Sequence, residues 1–224
     1  GALGVLGGFL FPGYSEVSSD FQLLTSAHRS GTITLMREIA SEQRVAELID
    51  ELSAALAQRI AGRPESAWAM VGIKRRGDVL ARRLADRLAA QLPADPFAGR
   101  VGSLDITLYR DDLSEIGPQP IVRTSDVPFP LDGLHLVLVD DVLMSGRSVR
   151  AALQSLMDFG RPSRVWLAVL VDRGGRELPI HPDDAALKLD PDDHAPHDRV
   201  LVHLTPIEKA DRITIEPAIN EVRG

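Results

Sequence analysis

The stretch Val137-Leu138-Val139-Asp140-Asp141-Val142-Leu143-Met144-Ser145-Gly146-Arg147-Ser148 is the part of this 224-residue chain that decides its fold. The apolar run that leads into it, Leu134 to Val139, is typical of a strand buried on both faces of a parallel sheet. Two acids and a turn of small residues follow. Apolar residues then recur at helical spacing, at Val149, Ala152, Leu153 and Leu156. The order of strand, acidic pair, turn and helix predicts a mainly parallel α/β sheet.

The turn between this strand and this helix is predicted to bind a phosphate. Free backbone N–H groups at a helix N-terminus, together with the positive end of the helix dipole, attract anions. Asp140 and Asp141 fall at the carboxyl end of the strand, where open α/β sheets bind their ligands. Carboxylates suit a sugar diol or a metal ion rather than a phosphate. The segment therefore predicts a site for a phosphorylated sugar.

The composition is that of a globular protein, with 44% hydrophobic and 25% charged residues, and the length suits one domain. The absence of cysteine excludes disulfides, thiol catalysis and cysteine-type zinc sites. No apolar run approaches the roughly 20 residues of a membrane helix, so we expect a cytoplasmic protein with no membrane partner. The net charge of −7 argues against nonspecific nucleic-acid binding, although it does not exclude a local basic patch.

The chain is expected to divide at residue 34. Residues 1–34 show no periodicity and are predicted to form a poorly ordered N-terminal extension, and residues 35–224 form the domain. Residues 110–130 are polar, contain four prolines and are predicted to form a lid, whereas 182–198 are predicted to be an irregular acidic surface. Helices are predicted within 45–60, 78–92 and 147–159, and strands within 67–73, 101–109, 134–139, 165–171, 200–204 and 212–215.

A second strand-to-helix turn, Gly72-Ile73-Lys74-Arg75-Arg76-Gly77, carries three consecutive cations. Arginine grips phosphate oxygens through two N–H groups and lysine adds a point charge, so this turn suits a polyanion. A solvated basic turn is the alternative explanation, and residue types alone do not choose between the two.

These segments resemble the type I phosphoribosyltransferases and, most closely, the PyrR family of pyrimidine operon attenuators and uracil phosphoribosyltransferases. Besides the two turns, the resemblance rests on the segments Leu104-Asp105-Ile106-Thr107-Leu108-Tyr109-Arg110-Asp111-Asp112 and Val171-Asp172-Arg173-Gly174-Gly175-Arg176-Glu177-Leu178-Pro179-Ile180. The chain departs from the usual family pattern at five of these positions. It has Met144, Ser145 and Ser148 where the family has Tyr, Thr and Thr, Arg75 in place of Thr, and Gly175 in place of His.

The resemblance implies the type I phosphoribosyltransferase fold, which is a mainly parallel central sheet flanked by helices, with a flexible lid loop and a small C-terminal hood. It also implies roles for individual residues. Asp140, Asp141 and Arg110 would be catalytic, and the two acids would hold Mg²⁺ through substrate and water. The phosphate turn would comprise Val142, Leu143, Met144, Ser145, Gly146, Arg147 and Ser148. The pyrophosphate loop would comprise Lys74, Arg75, Arg76 and Gly77. Arg173 and Val200 would contact the base.

The function implied by the resemblance is transfer of ribose 5-phosphate from phosphoribosyl pyrophosphate (PRPP) to uracil, giving UMP and pyrophosphate. Two alternatives stay open. One is a UMP-responsive protein that binds pyrimidine-operon mRNA, with little or no enzymatic role. The other is a phosphoribosyltransferase for a purine base, because a PRPP motif does not choose the base. We also expect a homo-oligomer.

Overall fold

The computed structural model describes residues 23–27, 33–64, 66–109 and 124–218. Within these residues the chain forms nine strands and three α-helices. The strands are β1 (Leu23–Ala27), β2 (Ile33–Ala40), β3 (Trp68–Ile73), β4 (Val101–Leu104), β5 (His135–Leu143), β6 (Arg164–Asp172), β7 (Asp184–Lys188), β8 (Arg199–His203) and β9 (Arg212–Glu216). The helices are α1 (Glu42–Ala61), α2 (Arg76–Gln91) and α3 (Arg147–Leu156).

A five-stranded parallel sheet forms the centre of the molecule, in the order β4-β3-β5-β6-β7. Alternate residues of β5 face opposite sides of this sheet. Val137 and Val139 pack in the core beneath α1 and α2, whereas Leu136 and Leu138 pack against α3. Because the strands run parallel, their carboxyl ends meet at one edge, and this edge carries both turns predicted to bind phosphates.

A second sheet is antiparallel, in the order β1-β2-β9-β8. We call this sheet, with the loop 204–211 that joins β8 to β9, the hood. Arg83 of α2 fixes the loop by donating to both the carbonyl and the hydroxyl of Thr205, each at 2.7 Å, and by pairing with Asp211. Burial alone would raise the pKa of Asp211, but the hydrogen bonds from Arg83 and Thr205 hold that pKa below its ordinary value. The hood is thus clamped to the helix that follows the basic turn.

The start of α2 lies unusually close to the central sheet. A Cβ atom on Gly72 would lie 2.2 Å from the carbonyl oxygen of Gly77, and one on Gly77 would lie 2.6 Å from that of Val139. These distances are shorter than any van der Waals contact, so both positions must be glycine for the helix to begin where it does. The close approach brings the basic turn beside the end of β5.

Several boundaries differ from those predicted. Strand β4 ends at Leu104 rather than at Tyr109, because the Asp105 carboxylate accepts hydrogen bonds from the amide and the hydroxyl of Thr107, at 2.8 and 2.6 Å, and starts a 3-10 turn. Strand β5 continues through the acidic pair to Leu143, and α3 ends at Leu156 rather than at Phe159. The predicted lid lies mostly outside the described residues, which omit 110–123.

The prediction of an irregular surface at 182–198 is wrong for its first part. Strand β7 occupies Asp184–Lys188 and pairs in parallel with β6 at the edge of the central sheet. The acids that suggested a solvated loop have structural partners instead. Asp183 accepts a hydrogen bond from the amide of Leu167 at 2.9 Å, and Asp184 pairs with Arg59 of α1 at 2.8 Å.

The predicted N-terminal extension, residues 1–34, is described only in part, and its described residues, 23–27 and 33–34, lie in strands. Strand β1 pairs with β2, and β2 pairs in turn with β9, so both belong to the hood. The hood is therefore assembled from both ends of the chain rather than from the C-terminal segment alone. Residues 1–22 and 28–32 lie outside the described residues.

Candidate active site

A cleft of about 240 Å³ lies at the carboxyl ends of β3 and β5. It brings together the basic turn, the acidic pair and the first turn of α3, which are far apart in the sequence. Its lining comprises Ile73, Lys74, Arg75, Arg76, Asp105, Ile106, Thr107, Asp140, Asp141, Val142 and Ser148. The two turns that the sequence predicted to bind phosphates therefore face one cavity, with carboxylates between them.

The acidic pair is largely withdrawn from water. Asp140 is 6% exposed and the side chain of Asp141 is 20% exposed. Burial raises the pKa of Asp140 well above its ordinary value, and the negative charge of Asp141 raises it further. Burial also raises the pKa of Asp141, although the positive charge of Arg76 opposes this shift. Burial thus disfavours the charged form of both groups, and a cation bound beside them would favour it.

The side chains of the basic turn are held from outside the turn. Lys74 donates from Nζ to the carbonyl oxygen of Thr124 at 2.6 Å. Arg76 donates from Nε and Nη2 to Oε1 of Glu208 in the hood, at 3.1 and 2.9 Å, and its Nη1 lies 3.9 Å from Oδ2 of Asp141.

Arg75 is exposed at the rim, and the Lys74–Arg75 peptide bond is cis. Gly77 is buried and contributes the close backbone approach to β5 described above.

The turn after β5 is shaped by Gly146, which caps α3 with a φ of +91° in the left-handed region that favours glycine. The hydroxyl of Ser145 accepts a hydrogen bond from the amide of Arg147 at 3.3 Å. The guanidinium of Arg147 pairs with Glu177 at 2.7 Å. Ser148 lines the cleft, whereas Leu143 is buried and Met144 is exposed.

Arg176 braces this turn, a role that the sequence did not suggest. Its Nη1 donates to the carbonyl oxygen of Met144 at 2.8 Å, and its Nη2 pairs with Asp172 at 2.6 Å. The amides of Glu177 and Leu178 both donate to the carbonyl oxygen of Ser145, at 3.1 and 3.0 Å. The segment after β6 thereby engages the carbonyl oxygens of Met144 and Ser145 in hydrogen bonds.

The two residues predicted to contact the base do not line the cleft. Arg173 is 4% exposed, and its Nη2 donates to the carbonyl oxygens of Ala195, Pro196 and Asp198 at 3.2, 2.7 and 2.8 Å. Its burial lowers the pKa of the guanidinium. Val200 is 8% exposed and packs in the core beneath α1 and α2. Arg110, predicted to be catalytic, lies outside the described residues.

Glu208 is a charged residue that sequence analysis missed, and it contacts the cleft-lining Arg76. It lies in the hood, 132 residues from its partner Arg76. No local motif surrounds it in the sequence, so only the fold could reveal it.

This fold, with an acidic pair and two strand-to-helix turns at one sheet edge, defines a type I phosphoribosyltransferase. Residues 36–199 match the family described as the phosphoribosyl transferase domain. Within that class the chain belongs to the PyrR family. It is 49% identical over 147 residues to the bifunctional protein PyrR of Roseiflexus sp. (strain RS-1), covering 66% of this chain and 78% of that protein. It is 41% identical over 171 residues to that of Akkermansia muciniphila, covering 76% and 90%.

Solved structures show the same fold at low sequence identity. Hypoxanthine phosphoribosyltransferase from Trypanosoma cruzi superposes with a TM-score of 0.60, at 17% identity, over 81% of this chain and 95% of that chain. At this identity the likeness speaks for the fold alone. The predicted fold class is confirmed. In the described part of the chain, no helix combines the length and the apolar character needed to cross a membrane.

Proposed function

We propose that this protein transfers ribose 5-phosphate from PRPP to uracil and releases UMP and pyrophosphate. The observation that carries the proposal is the meeting of the acidic pair with the basic turn and Ser148 in one cleft. PRPP has two phosphate-bearing ends and a diol between them, and the cleft offers complementary groups in that order. The choice of uracil rests on membership of the PyrR family.

The 5′-phosphate of the substrate is assigned to the turn from Val142 to Ser148. Backbone amides and the hydroxyls of Ser145 and Ser148 would donate to its oxygens at the N-terminus of α3. The bracing by Arg176 supports this assignment, because it engages carbonyl groups of the turn and leaves the helix terminus to an anion.

The acidic pair is assigned to the ribose diol and to Mg²⁺. A hard cation that keeps several waters needs only one or two carboxylates from the protein. The described residues contain no group of three or more potential ligands among His, Cys, Asp and Glu, which fits such a site. Bound there, Mg²⁺ would neutralise charge on the pyrophosphate. The carboxylates would also favour the positive charge that develops on the sugar as its bond to the leaving group breaks.

Lys74, Arg75 and Arg76 are assigned to the pyrophosphate. The three cations would stabilise the negative charge that this leaving group gains in the transition state. The exposure of Arg75 at the rim leaves it available to a ligand that enters from solvent. Arg173 and Val200 carry no role in the proposal, because both are buried away from the cleft.

One assay tests the proposal directly. The protein is incubated with PRPP, Mg²⁺ and each nucleobase in turn, and the nucleotide product is identified by chromatography. We expect UMP from uracil and no nucleotide from hypoxanthine or guanine. A purine nucleotide as main product would favour the purine alternative, and no product from any base would contradict the enzymatic proposal. A homo-oligomer in the cytoplasm stays a prediction.

A further inference from the structure

The contact between Glu208 and Arg76 joins two parts of the molecule that are far apart in the sequence. Glu208 belongs to the hood, whereas Arg76 is the first residue of α2. Both side chains are partly buried, with 21% and 31% of their surface exposed. A partly desolvated, charge-assisted contact of this kind fixes a side chain more firmly than an exposed ion pair does.

Glu208 is itself fixed before it meets Arg76. Its Oε2 accepts a hydrogen bond from the amide of Leu204 at 3.0 Å, and its own amide donates to the carbonyl oxygen of Leu204, also at 3.0 Å. The carboxylate is therefore tied to the residue that follows β8, and its other oxygen, Oε1, accepts from Arg76. Its neighbour Ile207 lines a second pocket together with Lys74 and Arg75, so the hood also faces the basic turn there.

This arrangement decides how Arg76 faces the cleft. Nε and Nη2 are engaged by Glu208, while Nη1 is directed at the cavity and lies 3.9 Å from Asp141. Without Glu208, the nearest carboxylate to Arg76 would be that of Asp141. The guanidinium would then be free to close on Asp141 and to neutralise a carboxylate that the proposed chemistry assigns to the diol.

We propose that Glu208 is a positioning residue that holds Arg76 in the orientation required to bind pyrophosphate. This inference rests on the proposed function, because it assigns the basic turn to the pyrophosphate of PRPP. The inference adds that the hood influences the affinity of the basic turn for pyrophosphate. It does so through Glu208, which lies outside the motifs recognised in the sequence.

The test measures binding of Mg²⁺-pyrophosphate and of UMP by calorimetry, so that it does not depend on turnover. We expect Glu208→Ala to weaken pyrophosphate binding about tenfold and to leave UMP binding within twofold. Glu208→Gln keeps the length of the side chain and is expected to cause a smaller loss. This second variant also keeps the test decisive if the alanine variant is poorly folded.

A double-mutant cycle distinguishes positioning from a merely structural role. If Glu208 acts through Arg76, then adding Glu208→Ala to an Arg76→Ala variant changes pyrophosphate binding no further. Asp211→Asn is the matched control, because it loosens the same hood loop through Arg83 without touching Arg76. The control is expected to lower Tm while leaving pyrophosphate binding nearly unchanged.

Three outcomes would overturn the inference: tighter pyrophosphate binding by Glu208→Ala, an undiminished effect of Glu208→Ala in the Arg76→Ala background, or an equal loss in Asp211→Asn. These outcomes are separable from failure of the proposed function. A wild-type protein that binds pyrophosphate but forms no UMP would contradict the proposed reaction alone.

Discussion

The two turns that face the cleft would bind anions by different means. The turn after β3 offers charged side chains, and its cations are directed by partners elsewhere in the chain, at Thr124 and Glu208. The turn after β5 offers small residues and a helix N-terminus, and it is braced by the adjacent segment through Arg176. We call the first arrangement adjustable, because the groups it offers are side chains whose direction depends on distant partners. The second is rigid, because its shape is that of the backbone. A leaving group that must depart suits the first, and a phosphate retained through the reaction suits the second.

The acids that separate the two turns should give the largest effect. We expect Asp140→Asn and Asp141→Asn each to lower turnover at least tenfold with the fold intact, because an electrostatic contact made in the transition state typically contributes a few kcal/mol. Steady-state kinetics with uracil and PRPP, beside circular dichroism of each variant, provide the measurement. Wild-type kcat in both variants would show that the acids serve neither the diol nor Mg²⁺.

The rigid turn should be broken by Gly146→Ala. An alanine at φ of +91° costs about 1–2 kcal/mol, and its Cβ would lie 3.3 Å from the side chain of Ile180. We expect the affinities for PRPP and UMP to fall together, by about tenfold or more, because both ligands carry the 5′-phosphate. Gly133→Ala is the matched control, since it also has positive φ but its Cβ meets nothing within 4 Å. A loss confined to PRPP would contradict the assignment of this turn.

The adjustable turn should respond selectively. We expect Arg76→Ala to weaken PRPP and pyrophosphate binding about tenfold while UMP binding changes little, because UMP has no group to fill that turn. Titrations with the three ligands, repeated at low and high salt, measure both the selectivity and its electrostatic origin. Equal losses for all three ligands would remove the distinction between the turns.

A smaller effect is expected on stability. Because the pKa of Asp140 is raised in the folded state, this group favours folding below about pH 3.8 and loses that contribution as the pH rises through the raised pKa. At pH values well above 3.8 the burial of this carboxyl therefore opposes folding. Asp140→Asn should then raise the Tm of the ligand-free protein, by about 2–4 °C for each kcal/mol recovered. The gain should shrink towards pH 4. A Tm gain that is independent of pH would contradict the electrostatic explanation.

The smallest effect concerns RNA. We expect weak or no binding of a pyrimidine-operon leader hairpin at about 0.15 M salt, because phosphate-driven affinity needs a basic surface. The chain carries a net charge of −7, and residues 182–198 place acids after the segment that braces the phosphate turn. A gel-shift titration with and without UMP is the measurement. UMP-dependent nanomolar binding would make regulation a second function.

The adjacency of the two turns was predictable from the sequence because it follows from topology. Long periodic segments predicted α1, α2 and the central strands, and parallel strands place their carboxyl ends at one edge. That the basic turn and the acids line one cleft agrees with this prediction, whereas the contact of Arg76 with Asp141 at 3.9 Å became visible only in the structure.

Side-chain partners distant in the chain were not predictable. Nothing in the neighbourhood of Arg173 indicates that its guanidinium is buried against carbonyl groups 22 to 25 residues away. The sequence around Glu208 likewise gives no indication of its contact with Arg76. Strand β7 was missed because its acidic start resembles a solvated loop. In these cases tertiary contacts override the local pattern, and Val200, assigned to the base by resemblance, belongs to the core.

The backbone contact among Gly72, Gly77 and Val139 sets a boundary for protein engineering. It joins β3, α2 and β5 through backbone atoms alone. No side chain lies between these elements that a substitution could shorten or enlarge. Mutational libraries aimed at the proposed PRPP site should therefore leave positions 72 and 77 as glycine. Position 75 is the opposite case, since Arg75 is exposed and departs from the usual family residue. Variation there can change the charge offered to a ligand without moving the scaffold.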